Sequence, residues 1–69
     1  EALRRLRREI ADREGIPPYI IFADSTLREM ARLNPTTPGE LLKIKGVGEA
    51  KLERYGALFF NVIQKHLKN

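Results

Sequence analysis

Few residues in this 69-residue chain are equipped for chemistry. The one histidine, His66, stands near the end of a helix-patterned stretch with no second ligand type nearby. A lone imidazole in that place complements the negative end of the helix dipole rather than holding a metal or moving protons. There are no cysteines, which excludes disulfides and thiolate metal sites. No serine, histidine and aspartate form a nucleophilic set. Glu29 and Glu40 stand three residues after Thr26 and Thr37, the spacing of a capping box, so both acids have structural work. The Gly46-Val47-Gly48 turn lacks the length and the Lys-Ser/Thr ending of a nucleotide-binding loop. The inventory is that of a binding module with no catalytic residues and no cofactor.

Two places could bind. In the first, Leu42 to Lys45 closes one apolar-periodic stretch, Gly46-Val47-Gly48 follows, and a second stretch opens at Glu49. Glycine supplies the left-handed backbone such a turn needs. The unpaired amides at the start of the next helix can hold a phosphate. Lys43, Lys45 and Lys51 stand around the turn. The competing interpretation is a plain chain reversal, with Val47 as a core plug. The second place is Tyr19, which follows the stiff Pro17-Pro18 pair and precedes Ile20-Ile21-Phe22. If Ile21 and Phe22 point inward, Tyr19 points out and can stack on an unpaired base. Half-burial against the first helix is the alternative.

Charge weights the first place. Residues 1–42 balance Arg4, Arg5, Arg7, Arg8, Arg13, Arg28 and Arg32 against Glu1, Glu9, Asp12, Glu14, Asp24, Glu29 and Glu40. The net +4 therefore belongs to residues 43–69, where Lys43, Lys45, Lys51, Arg54, Lys65 and Lys68 face only Glu49 and Glu53. A localised basic excess suits a polyanion; the bland reading is a positive, soluble surface.

The elements that must position these residues are helical. Leu3, Leu6 and Ile10 recur at helical spacing over about residues 1–14, and Gly15 is the natural stop. Pro17-Pro18 forbids helix through that point. Tyr19-Ile20-Ile21-Phe22 reads locally as a strand, but no second strand exists to pair with it, so a short helical turn at 18–22 or an extended buried segment is expected. Asp24, Ser25 and Thr26 announce the next helix, with Leu27, Met30 and Ala31 on its inner face and Asn34-Pro35 at its end. Thr37, Pro38 and Glu40 open a short helix carrying Leu41, Leu42 and Ile44. The last helix starts near Gly48 and repeats Leu52, Tyr55, Phe59, Val62 or Ile63, and Leu67, with Gly56 inside it either for a close helix approach or as a kink.

The expected core is Leu3, Leu6, Ile10, Ile16, Ile21, Phe22, Leu27, Met30, Leu41, Leu42, Ile44, Val47, Leu52, Phe59 and Val62. A chain this short buries about 60% of its unfolded surface and is stable by only about 5 kcal/mol, too little for a deep cleft beside a full core. One domain over residues 1–69 is expected, and the start at Glu1 suggests a piece of a longer protein.

The stretch from Ile16 to Ala31, Ile-Pro-Pro-Tyr-Ile-Ile-Phe-Ala-Asp-Ser-Thr-Leu-Arg-Glu-Met-Ala, resembles the heart of an HRDC domain, the module named for helicases and RNase D. The turn Gly46-Val47-Gly48 running into Lys51-Leu52-Glu53-Arg54-Tyr55-Gly56 and the leading helix from Leu3 to Arg7 are similar to its other signatures. The resemblance covers essentially the whole chain. Pro-Pro-Tyr is similar to the bacterial RecQ branch; the RNase D branch would place arginine at Tyr19.

The resemblance implies an all-α, compact five-helix orthogonal bundle, with a helix-hairpin-helix-like turn at Gly46–Gly48. It implies an auxiliary domain at the C-terminal end of a RecQ-like, ATP-dependent 3′-to-5′ DNA helicase of the bacterial cytoplasm and nucleoid, active in repair and recombination. The implied partner is single-stranded or partly unwound DNA, held weakly by a monomer through Tyr19, Lys43, Lys45, Gly46, Gly48, Lys51 and Arg54. Docking on the helicase core or another protein, through exposed apolar residues such as Leu58 or Phe60, is the second expectation. RNA, in the service of a nuclease, is the third.

Overall fold

The computed structural model describes residues 1–67; Lys68 of the basic excess and the side chain of Leu67 in the last repeat lie outside the described residues. Among the described residues five helices follow in order: α1 Ala2–Glu14, α2 Pro18–Ile21, α3 Asp24–Leu33, α4 Pro38–Leu42 and α5 Glu49–Leu67. There is no strand among the described residues.

Local chemistry sets the boundaries. Gly15 ends α1 at φ 68°, the left-handed position glycine takes without penalty, and its N–H donates to the Ala11 carbonyl. Pro17 is extended (φ −63°, ψ 143°) and Pro18 starts α2, so the two prolines set the direction of a single helical turn. The expected helical turn at 18–22 is thus observed, with Phe22 extended at its end. Asn34 closes α3 at φ 47°, a conformation asparagine tolerates better than most residues. Thr37 caps α4 as expected, its hydroxyl accepting from the Glu40 N–H at 3.1 Å. The return half of that capping box is displaced by one residue. The Glu40 carboxylate accepts from the Thr36 N–H at 2.6 Å and the Thr36 hydroxyl at 2.9 Å, and these bonds hold it below the usual carboxylate range.

Thr26 is not a cap. Helix α3 begins two residues earlier, with Asp24 in its first turn, where a carboxylate suits the helix dipole. Thr26 is buried instead, and its hydroxyl donates to the Lys45 carbonyl at 3.0 Å. That bond ties α3 to the α4–α5 turn across 19 positions of sequence.

The core is one continuous cluster. Phe22, Phe59, Ile10, Ile21, Met30 and Leu41 are fully buried in it, with Leu3, Leu27, Ile44, Val47, Tyr55 and Ile63 around them. Leu6, Ile16, Leu52 and Val62, expected inside, pack against it while half-buried. Two expectations fail. Leu42 is 37% exposed, because α4 is one short helix seated on α5 and only its Leu41 side can face inward. Ala31 is exposed, the inner face of α3 running through Thr26, Leu27 and Met30. Ala11, Tyr55 and Ile63 fill the places the expectation left. Gly56 is buried; an added methyl there would meet Leu52 at 2.7 Å and approach Leu41 of α4 at 3.9 Å. The tight contact that the glycine avoids is therefore with Leu52 on its own helix, whereas Leu41 of α4 lies at ordinary van der Waals distance. The Cα radius of gyration of 11.0 Å matches the roughly 11 Å expected of a folded chain of this length.

Candidate nucleic-acid interface

Tyr19 stands on α2, the single turn started by Pro18, and is 67% exposed. Ile20 beside it is 46% exposed, while Ile21 and Phe22 are buried. The outward tyrosine expected from the alternation is thus present, on a mount whose backbone two prolines restrict. An aromatic ring held this way gains contact with a base at little conformational cost.

The basic residues fall into two sets. Lys51 and Arg54 lie in the first turns of α5 and face the α1–α2 side. The Lys51 ammonium is 5.9 Å from the centre of the Phe22 ring, a cation–π approach directly after α2. The Arg54 guanidinium sits 5.5 Å from the centre of the Tyr55 ring and 3.7 Å from the Glu14 carboxylate. Glu14 also accepts from the Tyr55 hydroxyl at 2.7 Å. That bond, and then burial, raise the tyrosine above its ordinary value. Lys51 and Arg54 are therefore positioned by the same contacts that close α5 onto α1 and α2.

Lys43 and Lys45 belong to the other set. With Gly46 and Ile44 they line an open groove of about 680 Å³ against Ala23, Ser25 and Leu33. Glu29 also lines it, but its carboxylate is engaged by Arg32 at 2.8 and 3.0 Å. The two sets meet at Phe22 and Ala23, neighbours in the chain.

The turn between the sets uses its glycines unequally. Gly46 is at φ 99°, and a methyl added there would collide with the Thr26 side chain. Gly48 has no positive φ and open space around it, so the left-handed turn rests on Gly46 alone. Gly48 precedes α5, with its carbonyl accepting from the Leu52 N–H at 2.8 Å. Glu49 occupies the first turn of α5 and shares the amide end with any incoming phosphate. Val47 is buried, so the chain-reversal reading of the turn describes that residue correctly, whatever Lys43 and Lys45 contact.

Counting charge in blocks of sequence hid a third basic region. Arg4, Arg5, Arg7 and Arg8 of α1 line a groove of about 400 Å³ together with Pro18, the residue before Tyr19. Its acids are Glu1 and Asp24, and Asp24 is taken by Arg7 at 2.8 Å. The signal was available as arginines repeating at helical spacing on one face, which a net charge of zero over residues 1–42 cancels. His66 is exposed in the last turn of α5. Among the described residues, no group of histidine, cysteine and carboxylate side chains is placed to hold a metal. Leu58 is 42% exposed, and Phe60 lines an apolar groove with Pro38, Leu41, Leu52 and Ala57.

Comparison with known proteins gives this geometry a family. The HRDC domain model matches residues 1–63. The chain is 58% identical over 64 residues to the ATP-dependent DNA helicase RecQ of Haemophilus influenzae, covering 93% of this chain and 10% of that protein. It is 48% identical over 68 residues to RecQ of Bacillus subtilis, covering 99% of this chain and 12% of that protein. It thus spans about a tenth of the length of these relatives. Among solved structures it is similar to D. radiodurans RecQ HRDC domain 3, with a TM-score of 0.93 and 35% identity over 99% of this chain and 90% of that one. Fold and sequence agree, and the chain belongs to the HRDC domain family, in the form that RecQ DNA helicases carry.

Proposed function

We propose that this domain binds single-stranded or partly unwound DNA, weakly and without sequence preference. It does so as the auxiliary domain of a RecQ-like, ATP-dependent 3′-to-5′ helicase in repair and recombination. Tyr19 carries the reading: an aromatic side chain 67% exposed on a turn set by two prolines, with Lys51 held over the ring of Phe22 three positions on. Stacking is indifferent to base identity, and lysine and arginine follow the phosphates, so the expected binding is sequence-tolerant and steeply salt-dependent. The same reading makes the domain a monomer of the bacterial cytoplasm, working at the nucleoid. Lys43, Lys45, Gly46, Gly48 and Arg54 complete the expected contact surface.

Titration of a labelled oligonucleotide at two salt concentrations tests this. Micromolar or weaker affinity is expected at low salt. Tyr19→Ala should cost about 1–3 kcal/mol of binding, the worth of one stacked base. Lys51→Ala should weaken binding and flatten its salt dependence. No binding at low salt, or binding indifferent to both substitutions, overturns the proposal.

The apolar groove between α4 and α5 favours a second reading. Pro38, Leu41, Leu52, Ala57 and Phe60 enclose about 300 Å³ that a side chain of the helicase core could fill. Phe60→Asp should abolish that docking and leave oligonucleotide affinity unchanged.

A further inference from the structure

We propose that Arg4, Arg5 and Arg8 form the track that holds the phosphodiester backbone of the strand whose base stacks on Tyr19. The assignment rests on the single-strand reading above and names the face the backbone takes.

The argument begins with a helix that is built against its own electrostatics. Helix α1 starts at Ala2 and has no acidic residue in its first turn, and its N-cap, Glu1, makes no side-chain capping bond. Arg4 and Arg5 thus stand at the positive end of the helix dipole, where cations are disfavoured. Arg4 with Arg8 and Arg5 with Arg8 are like charges four and three positions apart, and such pairs repel across one turn. Glu9 and Asp12, four positions after Arg5 and Arg8, and Glu1 in the groove lining offset this repulsion only in part, because they do not close on the arginines as ion pairs. Among the described residues none of the three forms an ion pair. Asp24 is bonded to Arg7, and Arg4 acts on it only through charge at longer range.

The second observation is the shape of that face. The arginines line a groove of about 400 Å³ whose wall includes Pro18. Arg7 is the fixed part. One guanidinium nitrogen donates to the Phe22 carbonyl at 2.9 Å, another meets Asp24 at 2.8 Å, and the side chain is only 13% exposed. Its Nε is buried and has no partner. The other three arginines are left to face what enters. Because Pro18 is in the wall and Tyr19 is the next residue, the stacking platform and the cationic groove adjoin. A strand with a base on Tyr19 can lay its phosphates on α1. A polyanion there would relieve both unfavourable terms at once, the repulsion between arginines and their clash with the helix dipole.

The test is the triple variant Arg4→Gln, Arg5→Gln, Arg8→Gln in the 69-residue chain, titrated with labelled oligothymidylate over a range of salt. Each phosphate contact on a single strand contributes about 0.7 to the slope of log affinity against log salt. The triple variant should therefore lower that slope by about 2 and weaken low-salt binding at least tenfold. Its melting temperature should equal or exceed that of the unsubstituted chain, because repulsion has been removed; a merely structural role for the arginines would lower it. Replacing the three by lysine should keep the slope. Arg13→Gln, on α1 but outside the groove, should change it by less than about 0.7. Should the triple variant melt early, Arg8→Gln alone decides, with an expected slope change of about 0.7. Binding by the unsubstituted chain with no change of slope in these variants overturns the assignment alone. No binding by the unsubstituted chain overturns the single-strand reading together with it.

Discussion

At the scale of the residue, Arg7 shows why four arginines in one short stretch are not equivalent. It alone is folded into the structure, linking α1 to the Phe22 carbonyl and to Asp24. The bond from Arg7, and then its charge, hold the Asp24 carboxyl below its ordinary value of 3.8, with Arg4 and Arg28 adding in the same direction. The folded value is lower than the unfolded one. The pair therefore contributes stability that is full above the ordinary value and is lost as pH falls through the folded value. The expected outcome for Asp24→Asn is a lower melting temperature than the unsubstituted chain at pH 7, with the gap closing as the solution is acidified below the ordinary value of 3.8. Thermal melts followed by circular dichroism at pH 7 and in acid check it; a gap that persists in acid would mean that the carboxyl packs rather than pairs. The asymmetry between Arg7 and its neighbours was not legible in the sequence. Whether an arginine is spent internally depends on where the α2–α3 link returns, a property of the fold and not of spacing.

At the scale of the element, the helix boundaries were legible wherever one residue type dictates a backbone state. Gly15, Pro18, Asn34 and Thr37 each end or begin a helix as their chemistry requires. Thr26 was misread for a physical reason. A threonine three residues before a glutamate can cap a helix, or it can lie inside one and spend its hydroxyl on a distant carbonyl, and local sequence does not separate the two. The bond from Thr26 to the Lys45 carbonyl also decides how the glycine turn behaves. Gly46→Ala must bear a positive φ and push aside the Thr26 side chain, so a loss of about 2–3 kcal/mol is expected. Gly48→Ala should be within about 0.5 kcal/mol of neutral, a weaker N-cap offset by a stiffer unfolded chain. Urea unfolding of the two variants reads the contrast. Equal losses would show that both glycines serve the turn, as the Gly-x-Gly pattern by itself suggests.

At the scale of the whole molecule, the five-helix fold was legible because its apolar periodicity and its motifs agree, whereas the basic face was only half legible. Net charge by sequence block located Lys43 to Arg54 and erased the α1 groove, since acids that cancel in a sum do not cancel in space. Glu14 is the clearest case: it balances an α1 arginine on paper, yet in the structure it turns to Tyr55 and Arg54 of α5. What joins these surfaces is Phe22. It is fully buried, meets Phe59 edge-on at 4.9 Å and Tyr55 at 6.3 Å, carries Lys51 over its ring, and offers its carbonyl to Arg7. Removing a buried phenylalanine ring costs about 3–5 kcal/mol. A chain of this length has only about 5 kcal/mol to lose. Phe22→Ala is therefore expected to leave about 0–2 kcal/mol, so that the variant is partly unfolded at 37 °C. Phe22→Leu, which keeps most of the volume, should cost about 1.5 kcal/mol and keep the helices. Circular dichroism with urea titration distinguishes these outcomes. A Phe22→Ala variant as stable as the unsubstituted chain would mean that α1, α2 and α5 are held together elsewhere, and the basic residues would then have to be positioned without this ring.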